Sequence, residues 1–236
     1  MINKIVGFGD SWIYGDGLTP NNIPDDMPVW NLQRSVLANQ YLKDNCILGQ
    51  IGKNFNLPTY NYGISGGSLT STIWEFSKWC QSDVDHQSCL VIIGLTSDAR
   101  ESWWTITDDK REYIHSVYTD AYHQWDAKWN HIRKWMTLHS ENEKLWQTRY
   151  WTALQLFDSF CKINNISLLQ VNIFCPTKIF NVNSLHDSTS CMLNLLQSIQ
   201  RKSNINLIAP CGHPNEQGAK KLADYYTSVI KSKNLI

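Results

Sequence analysis

The chain has 236 residues, with 21 basic and 21 acidic side chains and a formal charge of zero. The length suits one sizeable domain, and the charge balance argues against general nucleic-acid binding, which shows a basic excess. No run approaches the roughly 20 apolar residues that span a bilayer; the N-terminal apolar stretch is strand-length with no small-residue cleavage site, so the chain is read as cytoplasmic.

In chain order, the first predicted strand is Ile2 to Phe8, and it delivers Gly9-Asp10-Ser11 at its end. Pro20 to Pro28 is turn-rich and reads as a surface loop. Helical spacing covers Asn31 to Leu48. A second strand, Thr59 to Tyr62, leads into Gly63-Ile64-Ser65-Gly66-Gly67-Ser68, and a helix follows over Ser71 to Gln81. The third strand, Cys89 to Ile93, is apolar on both faces and leads into Gly94-Leu95-Thr96-Ser97.

The next connection, about 98–165, is far longer than a minimal crossover. It reads as a helical, Trp-rich insertion with helices over Arg111 to Trp135 and Asn142 to Lys162. Tyr118, Tyr122, Trp125, Trp129 and Ile132 follow steps of three and four, one face of a helix. Two further strands, Ser167 to Phe174 and Asn206 to Ala209, alternate with helices over Thr189 to Arg201 and Glu216 to Ser232.

Strands alternating with helices indicate an α/β/α sandwich on a mainly parallel sheet, covered on both faces. Ligands of such sheets bind outside the carboxyl ends of the strands. Ser11, Gly66, Thr96 and Pro176 all follow strands and should share that edge.

Seven cysteines are scattered with no C-x-x-C pair, so neither a disulfide framework nor a zinc knuckle is expected. Cys211 differs from the rest by lying two residues before His213, which makes it a candidate reactive thiol. His115, His123, His131 and His139 recur every eight residues. On a helix that is roughly 12 Å per step, too far for one metal ion, and no H-E-x-x-H occurs. Gly7-Phe8-Gly9 begins a dinucleotide fingerprint, but Trp12 occupies the place of its third glycine. Neither a P-loop lysine motif nor a G-x-S-x-G elbow is present. No metal and no cofactor is expected.

A serine hydroxyl is a poor nucleophile until a base takes its proton. Ser11 after the first strand and His213 before the last helix form such a pair if the chain folds back on itself. Glycine at 66 lets backbone N–H groups approach a reacting carbonyl, and the Thr96 hydroxyl is a further donor. Arg100 is a candidate anchor for a substrate carboxylate or phosphate, and Trp103 and Trp104 are candidates for an aromatic wall beside the site.

With these residues in place, the chain resembles the SGNH/GDSL hydrolase superfamily over nearly its whole length. Gly7 to Ser11 is similar to the first block, Asn61 to Ser68 to the second, Gly94 to Ser97 to the third, and Cys211 to Pro214 to the last. The resemblance implies one domain over 1–236 with a flavodoxin-like five-stranded parallel sheet of order 2-1-3-4-5. It also implies Ser11 as nucleophile, His213 as base, and Ser11 N–H, Gly66 N–H and Thr96 as oxyanion donors. The implied substrate is a small-molecule ester, or the ester of an acylated carbohydrate or lipid.

Two departures stand out. Thr96 occupies the place of the family's usual asparagine, and Pro210 that of the aspartate three residues before the histidine. The orienter of His213 is then a backbone carbonyl, as in a Ser–His dyad, or a relocated carboxylate, for which Asp187 is the candidate. A catalytically degenerate protein that binds a carbohydrate or an assembly partner is the alternative reading. The oligomeric state is not legible.

Overall fold

The computed structural model describes residues 2–18, 32–82, 85–96, 100–106, 112–118, 143–174, 185–186 and 190–236, with backbone alone at 32–38, 100–106, 112–118 and 143–146. Five parallel strands form the main sheet: β1 (Lys4–Gly9), β2 (Thr59–Gly63), β3 (Cys89–Leu95), β6 (Ser167–Asn172) and β7 (Leu185–His186). Their order is β2-β1-β3-β6-β7, the 2-1-3-4-5 arrangement of a flavodoxin-like sheet. Register pairs Ile5 with Leu90 and Leu90 with Ser167, so the three central strands end together.

Alternation along the central strands builds two cores. Ile5, Leu90, Ile92, Leu169 and Val171 face one side with α3 (Ile47–Phe55), α6 (Met192–Ser203) and α7 (Glu216–Ser232). Val6, Phe8, Val91, Ile93 and Leu168 face the other with α4 (Leu69–Cys80) and α5 (Glu143–Ile163). The second core is aromatic: Phe76 meets Phe8 at 5.4 Å, Phe157 at 5.0 Å and Phe160 at 5.4 Å, each edge to face. Helices on both faces make the three layers.

Three local expectations change. The helix expected over Asn31 to Leu48 is two helices, α2 (Leu32–Asn45) and α3, broken at Cys46. Cys46 is extended and its sulfur accepts the Gly49 N–H at 3.4 Å, capping α3. A Cβ on Gly49 would lie 2.0 Å from the Lys43 carbonyl oxygen, so the close turn-back requires glycine there.

The helix expected from Arg111 fails over Glu112–Tyr118, which is a strand. This β5 pairs antiparallel with β4 (Arg100–Ile106), Trp103 opposite His115. Both segments hold several aromatic or β-branched residues, Trp103, Trp104, Thr105 and Ile106 in one and Tyr113, Ile114, Val117 and Tyr118 in the other, which suit a pleated ribbon. The eight-residue histidine series therefore does not start on a helix. Trp125, Trp129 and Ile132 lie outside the described residues.

The last strand of the sheet is not Asn206 to Ala209. Leu185–His186 takes the place beside β6, pairing with Gln170 and Val171. Residues 207–215 instead fold back on themselves. Ala209 N–H donates to the His213 carbonyl at 2.8 Å, and Asn215 N–H to that of Leu207 at 3.1 Å. Pro210 and Gly212, the latter at φ 82, reverse the chain before it can extend along a sheet.

No described helix is long and apolar enough to cross a membrane.

Candidate active site

Ser11 opens α1 (Ser11–Tyr14), a single turn at the carboxyl end of β1. Asp10 caps it, its Oδ1 accepting the Trp12 N–H at 2.9 Å. The turn closes at Gly15, in the left-handed region at φ 110, where a residue with a Cβ is disfavoured. Ser11 is 1% exposed.

The folded-back loop brings His213 to it. His213 Nε2 lies 2.8 Å from Ser11 Oγ. Asn215 locks the base of that loop: its Oδ1 accepts the Gly218 N–H and caps α7, while its amide donates to the Asn206 carbonyl, both at 2.9 Å. Gly17 presses against the loop from the other side. At φ 91, a Cβ there would stand 2.7 Å from His213 Cβ and 3.1 Å from the Pro214 carbonyl oxygen.

A hydroxyl within hydrogen-bond reach of an imidazole is the pair required to activate a serine. The other ring nitrogen, Nδ1, is buried and meets no acceptor among the described residues. The expected backbone carbonyl is therefore not found there, and the Ala209 carbonyl takes the Gly212 N–H instead. Asp187 and Pro176 lie outside the described residues.

Gly66 occupies the turn after β2. Gly67 N–H donates to the Ile64 carbonyl at 2.8 Å, and Gly66 sits third in that turn at φ 69, a conformation that favours glycine. The Ser65 hydroxyl donates to the Asp16 carboxylate and ties this turn to the segment after α1. Ser68 then caps α4 reciprocally with Ser71.

Thr96 follows directly on β3, and its side chain already has an acceptor. Its hydroxyl donates to Asp10 Oδ2 at 2.6 Å. A hydroxyl has one proton, so the Thr96 side chain has none left for an oxyanion. Arg100, Trp103 and Trp104 are on β4, and their side chains are not among those described.

Three residues of the site carry no assigned role in the sequence. Asp10 is simply the middle of Gly-Asp-Ser until the structure shows it as the cap of α1. Gly17 was visible only as one glycine of Gly15-Asp16-Gly17. Asn61 carried no signal beyond its motif, yet its amide donates to the Ile13 carbonyl at 2.8 Å and its Oδ1 accepts the Gly63 N–H at 2.9 Å.

Two clefts flank this region. One of about 600 Å³ is lined by Gly17, Tyr41, Asn206, Asn215, Glu216 and Lys220 among others. Within it the Tyr41 hydroxyl donates to Glu216 Oε2 at 2.7 Å. Desolvation, then that bond and the Glu216 charge, push the phenol up to about 12. The other, of about 380 Å³, runs along β2 past Tyr14, Tyr60 and Tyr62. Among the described thiols Cys211 is exposed; burial raises Cys80 and Cys161 to about 12 and Cys89 to about 11. Among the described residues no group of three His, Cys, Asp or Glu is placed to hold a metal ion.

No family model matches the chain, and no curated protein does. Among solved structures it is similar to a protein assigned to the lipolytic G-D-S-L family from Desulfitobacterium hafniense DCB-2. That match has 14% identity and a TM-score of 0.37, covering 96% of this chain and 99% of that one. A lipolytic G-D-S-L protein from Veillonella parvula DSM 2008 is similar at 14% identity and a TM-score of 0.39, covering 96% of each chain. Likeness at this level assigns no role to any residue of this chain.

Proposed function

We propose that the chain is a metal-independent serine hydrolase of the SGNH/GDSL kind that cleaves an ester, an O-acyl group on a small molecule, carbohydrate or lipid. The observation that carries the reading is the 2.8 Å contact between Ser11 Oγ and His213 Nε2. In this reading Nε2 takes the hydroxyl proton as Oγ bonds to the acyl carbon. The N–H groups of Ser11 and Gly66 receive the negative charge on the carbonyl oxygen. Ser11 N–H belongs to the first turn of a helix, where backbone donors have no intrahelical partner. His213 then gives its proton to the departing alkoxide. Water, deprotonated by the same imidazole, releases the acyl group and restores Ser11.

One observation favours a second reading, a binding protein on the same fold. The His213 Nδ1 has no acceptor among the described residues, so nothing described there stabilises an imidazolium. Hydrolysis of short p-nitrophenyl esters and labelling by a fluorophosphonate separate the two. Hydrolysis and an adduct on Ser11, both lost in Ser11→Ala and both indifferent to a chelator, support the hydrolase. A folded protein with neither favours the binding protein, and activity that survives Ser11→Ala rejects the mechanism.

A further inference from the structure

The turn that carries Ser11 is four residues long. A single helical turn has no stability of its own, because nucleation fixes several residues for one hydrogen bond. Its geometry is therefore decided by what holds its ends. At the far end, Asn61 of β2 grips the Ile13 carbonyl. At the near end, Asp10 is fully buried and holds the Trp12 N–H with one oxygen. Its other oxygen takes the Thr96 hydroxyl, and Thr96 is itself 2% exposed at the end of β3.

We propose that Thr96 is a positioning residue: by holding Asp10 Oδ2, its hydroxyl sets the angle of the Ser11 turn and so aims Ser11 Oγ at His213 Nε2. It acts through Asp10 and touches no substrate. Burial makes the tie effective, since a hydrogen bond in a low-dielectric interior is stronger than in water. Precision makes it matter, since a misplacement of about 1 Å in a reacting group costs on the order of 100-fold in rate. The kinetic part of the claim rests on the hydrolase reading; the geometric part does not.

The test compares wild type with Thr96→Val, which keeps the shape and removes the hydroxyl, and Thr96→Ser, which keeps the hydroxyl. Three quantities are read: kcat and KM on a p-nitrophenyl ester, the thermal midpoint, and the ¹⁵N chemical shift of His213 Nε2, assigned with His213→Gln. Thr96→Val is expected to lower kcat on the order of 10- to 100-fold, to leave KM within about twofold, and to move the Nε2 signal. Thr96→Ser is expected to restore both. An unchanged Nε2 signal in folded Thr96→Val overturns the proposal, and so does a kcat loss that Thr96→Ser fails to rescue. If wild type is inactive, the hydrolase reading falls, and the Nε2 signal still decides whether Thr96 positions Ser11. Should Thr96→Val not fold, Thr96→Ala is read in the same way.

Discussion

Ser11 and His213 are separated by 202 positions in the chain and by 2.8 Å in space. One is delivered by the first strand, the other by a loop that turns back just before the last helix. If this contact is the working pair, removing the imidazole removes the base. His213→Gln is expected to lower ester hydrolysis by about 10²- to 10⁴-fold, the usual contribution of a positioned base. The thermal midpoint should move little by comparison. A rate within threefold of wild type would exclude His213 as the base.

Gly17 tests how tightly the histidine loop is held. Gly17→Ala forces a Cβ into the left-handed region, at a cost of roughly 1–2 kcal/mol, and against His213 Cβ. Gly212→Ala at φ 82 carries the same kind of strain, but its added Cβ meets nothing within 4 Å. Both should lose stability, and Gly17→Ala should lose more kcat. Thermal melts beside rates on one ester measure this; equal losses of kcat would show that the contact is unimportant.

The orientation of His213 turns on Nδ1, which is buried with no acceptor among the described residues. A carboxylate there would fix the tautomer and stabilise the imidazolium. Asp187→Asn is expected to lower kcat by about 100-fold or more if Asp187 fills that role. A loss under threefold, with Pro210→Asp raising kcat, would point to a Ser–His dyad. The comparison needs circular dichroism of each variant to confirm folding.

Tyr41 offers a pH-dependent test of the α2–α7 contact. Its phenol is raised from 10.0 to about 12, so the folded state keeps a proton that the unfolded chain releases in between. This preference for the protonated phenol, set first by burial and then by the Glu216 bond and charge, stabilises below about pH 10 and is lost as pH rises towards 12. Solvent screening keeps the effect small. Tyr41→Phe should melt earlier than wild type at pH 9 and converge with it near pH 12. Parallel curves across that range would mean that the Glu216 bond does not survive in solution.

Much of the architecture was legible because strongly apolar runs admit few solutions. Cys89 to Ile93 has no polar face, so it had to be a central strand with helices on both sides, and the alternation with helices carried the parallel order. The turns that carry Ser11 and Gly66 were legible because turn chemistry at strand ends is local. What tertiary structure alone decided was competition among distant partners. The two-residue strand Leu185–His186 is too short to show periodicity, and its place beside Gln170 and Val171 comes from pairing. Glu112–Tyr118 is a strand because Arg100–Ile106 lies against it; by itself the segment joins the aromatic steps of a helix. Thr96 shows the same limit at the level of one proton. The sequence determined that a hydroxyl stands at the end of β3, and only the fold, by burying Asp10 2.6 Å away, decided which acceptor receives it.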